Sequence, residues 1–279
     1  MHSISDAYTA LIMRIGTRLG LPRVCAVYLP PEEPTVANRP EFVALELEDG
    51  SVGFSYVRIG EAERVLRTRI GAGEFSGADV MTLARGFGDS DAAAKVLGLA
   101  AINALSQQLL SRSNWLPPEA ADSLAEVAPQ TGEHIGMIGF FSRLIPRVRQ
   151  KRARLTVLEL KSELVRETGD FRVTLDAADL ASCVKVLSTC TVMLNDTLDS
   201  VLSACGNANH FAIIGPTAGC IPDPLFARGI DTVGGRRVVD AQGFRDAFCA
   251  GRKWGSFTSK YVIARKDYPG IDWLLERAG

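Results

Sequence analysis

Several signatures that would identify a function directly are missing from this sequence of 279 residues. Basic residues (31 Lys and Arg) and acidic residues (32 Asp and Glu) nearly balance, so the formal net charge is −1. Nucleic-acid-binding domains usually carry a clear basic excess, and we therefore expect no nucleic-acid partner. No uninterrupted apolar stretch approaches the length of a membrane-spanning helix, which predicts no membrane partner. Residues 1–21 lack the basic start and apolar run of a signal peptide.

Metal-site and protease motifs are also absent. The six cysteines are dispersed without a CxxC pair, and the three histidines form no HExxH motif. No GxSxG sequence is present to support a serine nucleophile. Scattered cysteines of this kind are typical of reduced thiols, which predicts a cytoplasmic protein.

The length and the apolar patterns of the sequence indicate an α/β protein of about two domains. Apolar residues at helical spacing predict a helix over Ser5–Leu19, with Ser5 as its N-cap. Two short apolar runs on either side of Asp49-Gly50 predict a β-hairpin, and Asp91 would cap a long helix ending at Ser111. We predict an α+β domain over residues 1–112, a proline-containing linker over 113–130 and a second domain over 131–279.

The second domain alternates strands with helices. A basic helix over Arg143–Arg152 follows the first strand, and its charges are more typical of a solvated face than of a binding patch. Continuous apolar strands separated by helices predict a parallel sheet covered on both faces. The predicted strands are His134–Phe140, Leu155–Leu160, Val184–Ser188 and Phe211–Ile214.

Ligands of open α/β sheets bind beyond the carboxyl ends of the strands, a position that selects candidate residues without any motif. If the four strands are parallel, the residues that follow them share one rim of the sheet. These candidate ligand-binding residues are Gly139, Phe140, Phe141, Ser142, Glu159, Thr189, Cys190, Thr191, Asn195 and the segment 215–220.

Glu159 lies 20 residues after Gly139, the offset at which dinucleotide-binding folds place an acid on the ribose hydroxyls. The turn after Gly139 lacks the further glycines of GxGxxG. A nucleotide-like ligand is therefore one of two interpretations of Glu159, and the other is simpler. In that interpretation Glu159 caps, or forms an ion pair with, the neighbouring basic helix.

Cys190 and Cys220 each follow a predicted strand, so both could lie on the rim. Thiolates are suitable ligands for copper, zinc or nickel. Free cysteines are also among the most buried residues, and core packing is the competing explanation. The turn over 215–219 presents a similar choice between an anion-binding nest and a plain turn. Near the C-terminus, Lys260 and Tyr261 belong to a mixture of cations and aromatics that predicts a lid, an oligomer contact or core packing.

Taken together, these segments resemble two known families. The C-terminal half resembles the DUF364 family, known as a heavy-metal chelation domain, and the N-terminal part resembles its companion, the DUF4213 domain. The resemblance covers nearly the whole chain. It rests on the segments Leu47–Ser51, Leu99–Leu105, Ile135–Phe141, Leu155–Leu160, Thr189–Leu198, Ile214–Ala218 and Leu225–Asp231.

The resemblance implies an enolase N-terminal-like α+β domain followed by a Rossmann-like domain, with a site between them. It implies site roles for Glu159, Thr189, Asn195, Gly215, Pro216 and Thr217, with Asn103 contributed by the first domain. The chain departs from the family pattern T-G-T-T-L-I-N-G-T at Cys190, Val192 and Asp196. A thiol at Cys190 replaces a glycine, which suggests a different ligand or a use for the thiol.

The leading functional hypothesis is a metal-binding or metal-chelate-binding protein, with the small-molecule ligand held between the domains. In it, Glu159 and Asn195 would be the catalytic or orienting residues, and Cys190 and Cys220 the metal ligands. One alternative is an enzyme that uses S-adenosylmethionine or a nicotinamide dinucleotide; another is a non-catalytic scaffold. The sequence leaves two alternatives for the cofactor, a soft transition metal (copper, zinc or nickel) or a nucleotide-like ligand. It also leaves a homodimer as one alternative for the oligomeric state.

Overall fold

The computed structural model of the protein describes residues 3–31, 41–120, 124 and 127–279. It contains a small antiparallel sheet, in the first part of the chain, and a large, mostly parallel sheet in the second part. The helices are α1 (Ile4–Leu19), α2 (Ala62–Gly71), α3 (Val80–Arg85), α4 (Ala92–Arg112), α5 (Ile145–Gln150), α6 (Leu198–Ala204), α7 (Asp223–Phe226), α8 (Ala241–Cys249) and α9 (Ile271–Ala278). The strands are β1 (Val24–Tyr28), β2 (Phe42–Leu47), β3 (Val52–Tyr56), β4 (His134–Ile138), β5 (Arg154–Leu158), β6 (Arg166–Thr168), β7 (Phe171–Thr174), β8 (Lys185–Thr189), β9 (His210–Ile214), β10 (Thr232–Val238) and β11 (Thr258–Ala264).

The small sheet has the order β1-β2-β3, and β2 and β3 form the predicted hairpin. Helix α4 packs directly against β3. Gly53 makes this close approach possible, because a Cβ atom at that position would lie 2.1 Å from the carbonyl oxygen of Ala100. Helix α4 is apolar on nearly all sides and buried along most of its length, as expected for a helix enclosed by other elements.

The large sheet has the order β11-β10-β9-β8-β4-β5-β7-β6. Strands β10, β9, β8, β4, β5 and β7 are parallel neighbours, and β11 and β6 pair antiparallel at the two edges. The predicted α/β class, with an α+β portion followed by a mostly parallel sheet, is therefore confirmed.

Three predicted boundaries shift for identifiable reasons. The N-cap of α1 is Ser3, not Ser5, because Ser3 and Asp6 form a capping box. The first strand of the parallel sheet ends at Ile138, since Gly139 takes a positive φ of 89°. The basic helix is shorter than predicted: it has a proline in its first turn, and Arg152, with φ 56°, lies beyond its end. Asp91 does cap α4, as predicted.

Several elements were not predicted, namely α2, β6, β7, β10, β11, α8 and α9. Residues 121–123 and 125–126 of the predicted linker lie outside the described residues. The largest apolar core cluster draws side chains from both halves, from Tyr8 of α1 to Tyr261 of β11. Of the helices described, none has the length and apolar character needed to cross a membrane.

Candidate functional site

A cavity of 520 Å³ opens at the carboxyl ends of the parallel strands, where the sheet rule predicts a ligand. We call it the rim cavity. Of the predicted site residues, it brings together Phe140, Phe141, Ser142, Gly215 and Pro216. Its lining residues are Ala120, Phe140, Phe141, Ser142, Arg143, Leu144, Arg147, Ile214, Gly215, Pro216, Gly234, Gly235, Arg236, Lys260, Tyr261 and Val262.

The rim cavity is strongly cationic. Arg143, Arg147, Arg236 and Lys260 all line it, and none of the described lining residues is acidic. Arg143, Arg147 and Lys260 are exposed, whereas Arg236 is half-buried and its burial lowers the pKa of its guanidinium group. Cationic side chains around an apolar pocket are suited to an anionic ligand.

Arg236 is held in place by two neighbours. Its Nη1 donates a hydrogen bond to Thr258 Oγ1 at 2.6 Å, and its guanidinium carbon lies 5.2 Å from the centroid of the Trp254 ring. Trp254 in turn stacks on Phe54 of β3, with ring centroids 5.2 Å apart. The small sheet therefore helps to fix a cation of the rim cavity.

Glu159 lies next to the rim cavity without lining it. Its Oε2 accepts a hydrogen bond from the Phe140 amide at 2.9 Å, and its Oε1 accepts one from the Leu160 amide at 2.8 Å. Gly139, the residue before Phe140, disfavours a side chain, because it takes a positive φ of 89° and a Cβ atom there would lie only 3.0 Å from Thr189 Cγ2. Glu159 therefore fixes the turn that presents Phe140 and Phe141.

The turn after β9 is clamped by the first part of the chain. Asn103 of α4 donates from Nδ2 to the carbonyl oxygens of Phe54 and Thr217, both at 2.7 Å. The Tyr56 amide donates to Thr217 Oγ1 at 3.0 Å. Asn103 and Thr217, two predicted site residues, are thus a buried support beneath the rim cavity.

Two backbone donors of this turn are used inside the protein. The amide of Gly215 donates to Gly234 O and that of Ala218 to Gly215 O, each at 3.0 Å. Pro216 has no N–H group. The side chains around the cavity are therefore better placed than this turn to hold an anion. Gln107 of α4 adds further support, donating to Gly219 O and Tyr261 Oη at 2.9 Å each.

The turn after β8 holds Thr189, Thr191 and Asn195 in a local network away from the rim cavity. Thr191 Oγ1 donates to Thr189 Oγ1 at 3.1 Å. Oriented with its NH₂ toward the backbone, the Asn195 amide donates to the carbonyl oxygens of Thr191 at 3.2 Å and Val192 at 3.1 Å. Asp196 takes a positive φ of 58°, which explains why a glycine suits this position in the family pattern.

Cys190 and Cys220 lie beneath the rim and not on it, with 1% and 0% of their surface exposed. The hydroxyl of Tyr8 donates to Cys220 Sγ at 2.9 Å. Burial raises the pKa of the Cys190 thiol well above its ordinary range and that of Cys220 to about 11. In the described part of the chain, no group of three or more His, Cys, Asp or Glu side chains could hold a metal ion. The two thiols do not fit a metal centre.

Arg143, Arg236 and Lys260 were missed as site residues, and Arg147 was assigned to a solvated face. The only sequence signal was the mixture of cations and aromatics around Lys260 and Tyr261. Arg236 has no local signature, because strand pairing alone brings it opposite Lys260. Arg149 of the basic segment contacts a different part of the protein, since it lies over the Phe171 ring, 5.3 Å from its centroid.

Comparison with solved structures supports this architecture. A protein of unknown function from the DUF364 family of Desulfitobacterium hafniense superposes with a TM-score of 0.69 and 24% identity, covering 94% of this chain and 98% of its own. A DUF364 protein of unknown function from Pyrococcus horikoshii gives the same TM-score at 16% identity, covering 94% and 99%. At these identities the likeness shows a shared fold.

Among curated proteins, an uncharacterised protein of Methanocaldococcus jannaschii is 29% identical over 154 residues, 54% of this chain. The chain spans 57% of that relative's length. Family models match residues 39–106 as DUF4213 and residues 122–266 as DUF364, both described as "putative heavy-metal chelation". The chain therefore belongs to the DUF364 family, and the segment before that match, residues 39–106, matches the DUF4213 model.

Proposed function

We propose that this protein binds an anionic small molecule of the kind that chelates heavy metals, or its metal complex, in the rim cavity. The observation that carries the proposal is the set of cationic side chains, Arg143, Arg236 and Lys260, at a cavity whose described lining contains no acidic side chain. A volume of 520 Å³ is within the range of small-molecule pockets.

In this proposal the ligand, and not the protein, coordinates the metal. Metal chelators are rich in carboxylate and similar oxygen donors, and Arg binds carboxylates with strong, directional hydrogen bonds. A protein centre for copper, zinc or nickel would need about four ligands with deprotonated thiols. Cys190 and Cys220 are buried, and their raised pKa values favour the protonated thiol at neutral pH.

Glu159 and Asn195, predicted as catalytic residues, have a positioning role in this account. Glu159 accepts hydrogen bonds that fix the turn bearing Phe140, and Asn195 fixes the turn after β8. Neither lines the rim cavity. Asn103 and Thr217 support the floor of the cavity, which makes the DUF4213 part of the chain necessary for binding by the DUF364 part.

Isothermal titration tests the proposal with copper, zinc and nickel, each added as the chloride and as its citrate or nitrilotriacetate complex. We expect the complexes, and not the free ions, to bind. The double variant Arg236→Gln/Lys260→Gln should weaken binding by about tenfold or more, since each lost charged hydrogen bond is worth about 1.5–3 kcal/mol. The matched control is Lys253→Gln/Lys266→Gln, which removes two exposed cations outside the cavity.

Two results would overturn the proposal. Free metal ions that bind wild type and the cavity variant equally, and lose affinity on Cys190→Ser, would show direct ligation by the thiol. Binding of S-adenosylmethionine or NAD in place of every chelate, again insensitive to Arg236→Gln/Lys260→Gln, would favour the adenosine-cofactor alternative.

A further inference from the structure

The guanidinium group of Arg236 keeps one edge for a ligand. Within the described residues its hydrogen bonds go to Thr258 Oγ1 at 2.6 Å and, more weakly, to Gly255 O at 3.5 Å, and both leave from Nη1. The Trp254 ring covers one face of the group, with its centroid 5.2 Å from the guanidinium carbon. The Nε–H and Nη2–H groups form the remaining edge, and such an edge of Arg can bind both oxygens of a carboxylate in parallel.

Lys260 adds a second positive charge next to Arg236. The two residues are direct partners in the antiparallel register of β10 and β11. Strand β10 pairs with β9 only as far as Gly234, whereas its pairing with β11 continues to Val238, so both cations lie on a two-stranded ribbon past the parallel sheet. Like charges opposed across strands repel each other. An anionic group bound at this ribbon relieves the repulsion.

Aromatic rings line a second wall of the rim cavity. Phe140 and Phe141 follow β4, three strand positions from β10, and at about 4.8 Å per position the strands behind the two walls are roughly 14 Å apart. The turn that carries the rings is fixed, because Phe141 O accepts hydrogen bonds from the amides of Leu144 at 2.8 Å and Ile145 at 3.1 Å. Arg166 lies over the Phe140 ring, 5.2 Å from its centroid. Both rings are therefore positioned before a ligand binds.

The floor between the two walls is apolar and low. Ile214, Gly215, Pro216 and Gly234 line it. The Gly215 amide already donates to Gly234 O at 3.0 Å, and Pro216 has no N–H group. A floor of this kind suits the apolar body of a ligand, while the charged groups at one end fix its orientation. An aromatic body gains further from edge-to-face or offset contacts with the rings of Phe140 and Phe141.

We infer that the ligand is an aromatic carboxylate, whose carboxylate binds the Nε–Nη2 edge of Arg236 beside Lys260 and whose ring packs against Phe140 and Phe141. The inference rests on the proposed function, since it names the ligand class of the same rim cavity. This class includes metal chelators that carry a second donor atom beside the carboxylate.

Isothermal titration of the full-length protein with three matched probes tests the inference. The probes are 2-naphthoate, its fully saturated analogue decahydronaphthalene-2-carboxylate, and the neutral 2-naphthamide. We expect 2-naphthoate to bind about tenfold or more tightly than the amide, because the amide lacks the charge that Arg236 and Lys260 bind. It should bind about threefold or more tightly than the saturated analogue, which cannot make aromatic contacts.

Two variants separate the roles of the edge and of the rings. Arg236→Lys keeps the positive charge but removes the two-donor edge, and it should weaken 2-naphthoate binding by about tenfold. The matched control is Arg85→Lys, at an exposed arginine that ends α3 outside the cavity, and it should bind like wild type. Phe140→Leu/Phe141→Leu keeps apolar side chains and should abolish the preference for 2-naphthoate over the saturated analogue. That ratio of affinities does not respond to a general loss of binding, and circular dichroism verifies that each variant folds.

The failures are distinguishable. Equal binding of 2-naphthoate and its saturated analogue to wild type, or wild-type affinity for 2-naphthoate in Arg236→Lys, would overturn the aromatic carboxylate. So would binding of the metal chelates without any binding of 2-naphthoate, and in each of these cases the proposed function stands. Failure of every carboxylate and every metal chelate to bind would overturn both proposals.

Discussion

The amino ends and the carboxyl ends of the parallel strands each border a cavity, of 310 Å³ and 520 Å³ respectively. The amino-end cavity is lined by charges of both signs, and one pair of them is matched within the protein. Arg172 forms an ion pair with Asp179 at 3.0 Å. Nearby, Lys185 forms an ion pair with Glu133 at 2.9 Å.

His134 also lines the amino-end cavity, where both of its ring nitrogens are hydrogen-bonded. Arg154 Nη2 donates to His134 Nδ1 at 2.6 Å, and a guanidinium group cannot accept a hydrogen bond, so Nδ1 must be the unprotonated nitrogen. The protonated Nε2 then donates to Thr156 Oγ1 at 2.8 Å. Burial and the charge of Arg154 both lower the pKa of His134 and favour this neutral form.

The carboxyl end has the opposite character, because its cations face one another and the described lining has no acidic side chain. The difference teaches where an anion fits best: the amino-end cavity is lined by charges of both signs, whereas Arg143, Arg236 and Lys260 line the rim cavity with no acidic side chain among its described lining residues. Four expectations test this comparison, from the largest effect to the smallest.

Thiol reactivity tests how far a reagent reaches into the protein at the carboxyl ends of the parallel strands. Cys25 and Cys249 are exposed, and the other four cysteines are buried. Because thiolates are the reactive form, buried thiols with raised pKa values should react more slowly by on the order of a hundredfold or more. Ellman's reagent should therefore titrate two thiols quickly in the native protein and all six after unfolding. Fast native labelling of Cys190, located by mass spectrometry, would contradict the closed floor of the rim cavity.

Asn103→Ala removes the clamp that supports the carboxyl end. Two buried carbonyl oxygens, of Phe54 and Thr217, lose their donor, which should lower the free energy of unfolding by about 3 kcal/mol. Urea denaturation measures the loss. Asn207→Ala is the control, since this exposed amide donates to Ala181 O at 2.8 Å and its loss should cost about 0.5 kcal/mol or less. Similar losses in both variants would show that the clamp does not stabilise the fold.

Removing a lysine charge should have opposite effects on stability at the amino and carboxyl ends of the parallel strands. Lys185→Gln breaks a largely buried ion pair at the amino end and should destabilise the protein by about 1 kcal/mol. Lys260→Gln relieves repulsion from Arg236 and should stabilise the ligand-free protein by about 0.5 kcal/mol. Denaturation at low ionic strength measures both. If Lys260→Gln destabilised the protein as much as Lys185→Gln does, the proposed difference between the two ends of the parallel strands would be contradicted.

His134 predicts the smallest effect, a dependence of stability on pH. Its folded-state pKa lies below its ordinary value of 6.5, so the unfolded chain takes up a proton first as the pH falls. Its contribution to stability is full above about pH 6.5 and decreases below it. His134→Gln should flatten the slope of unfolding free energy between about pH 5 and 7. An unchanged slope would show that His134 does not titrate as inferred.

The parallel core of the fold could be predicted because its strands are continuous apolar runs. β4, β5, β8 and β9 match the predicted strands to within about two residues. The misplaced ends depend on single backbone conformations, such as the positive φ values of Gly139 and Arg152. Strands β10 and β11 were missed, since polar, glycine and charged residues interrupt their apolar pattern.

The site was only half predictable for the same physical reason. Strand ends locate Phe140, Phe141, Gly215 and Pro216, because the sheet rule depends on local pattern alone. Arg236 and Lys260 meet through strand register, which brings together residues that are distant in sequence. The burial of Cys190 and Cys220 depends on packing by Tyr8 and α4, and it could not be read from their positions after strands.

The central claim is that the carboxyl end, and not the amino end, holds an anion. Soaking crystals of the wild-type protein in bromide and locating the ions by anomalous scattering tests it most directly. The account predicts bromide in the rim cavity, within contact distance of Arg236 or Lys260. Bromide bound beside Arg154 and Arg172 at the amino end, with none in the rim cavity, would contradict it.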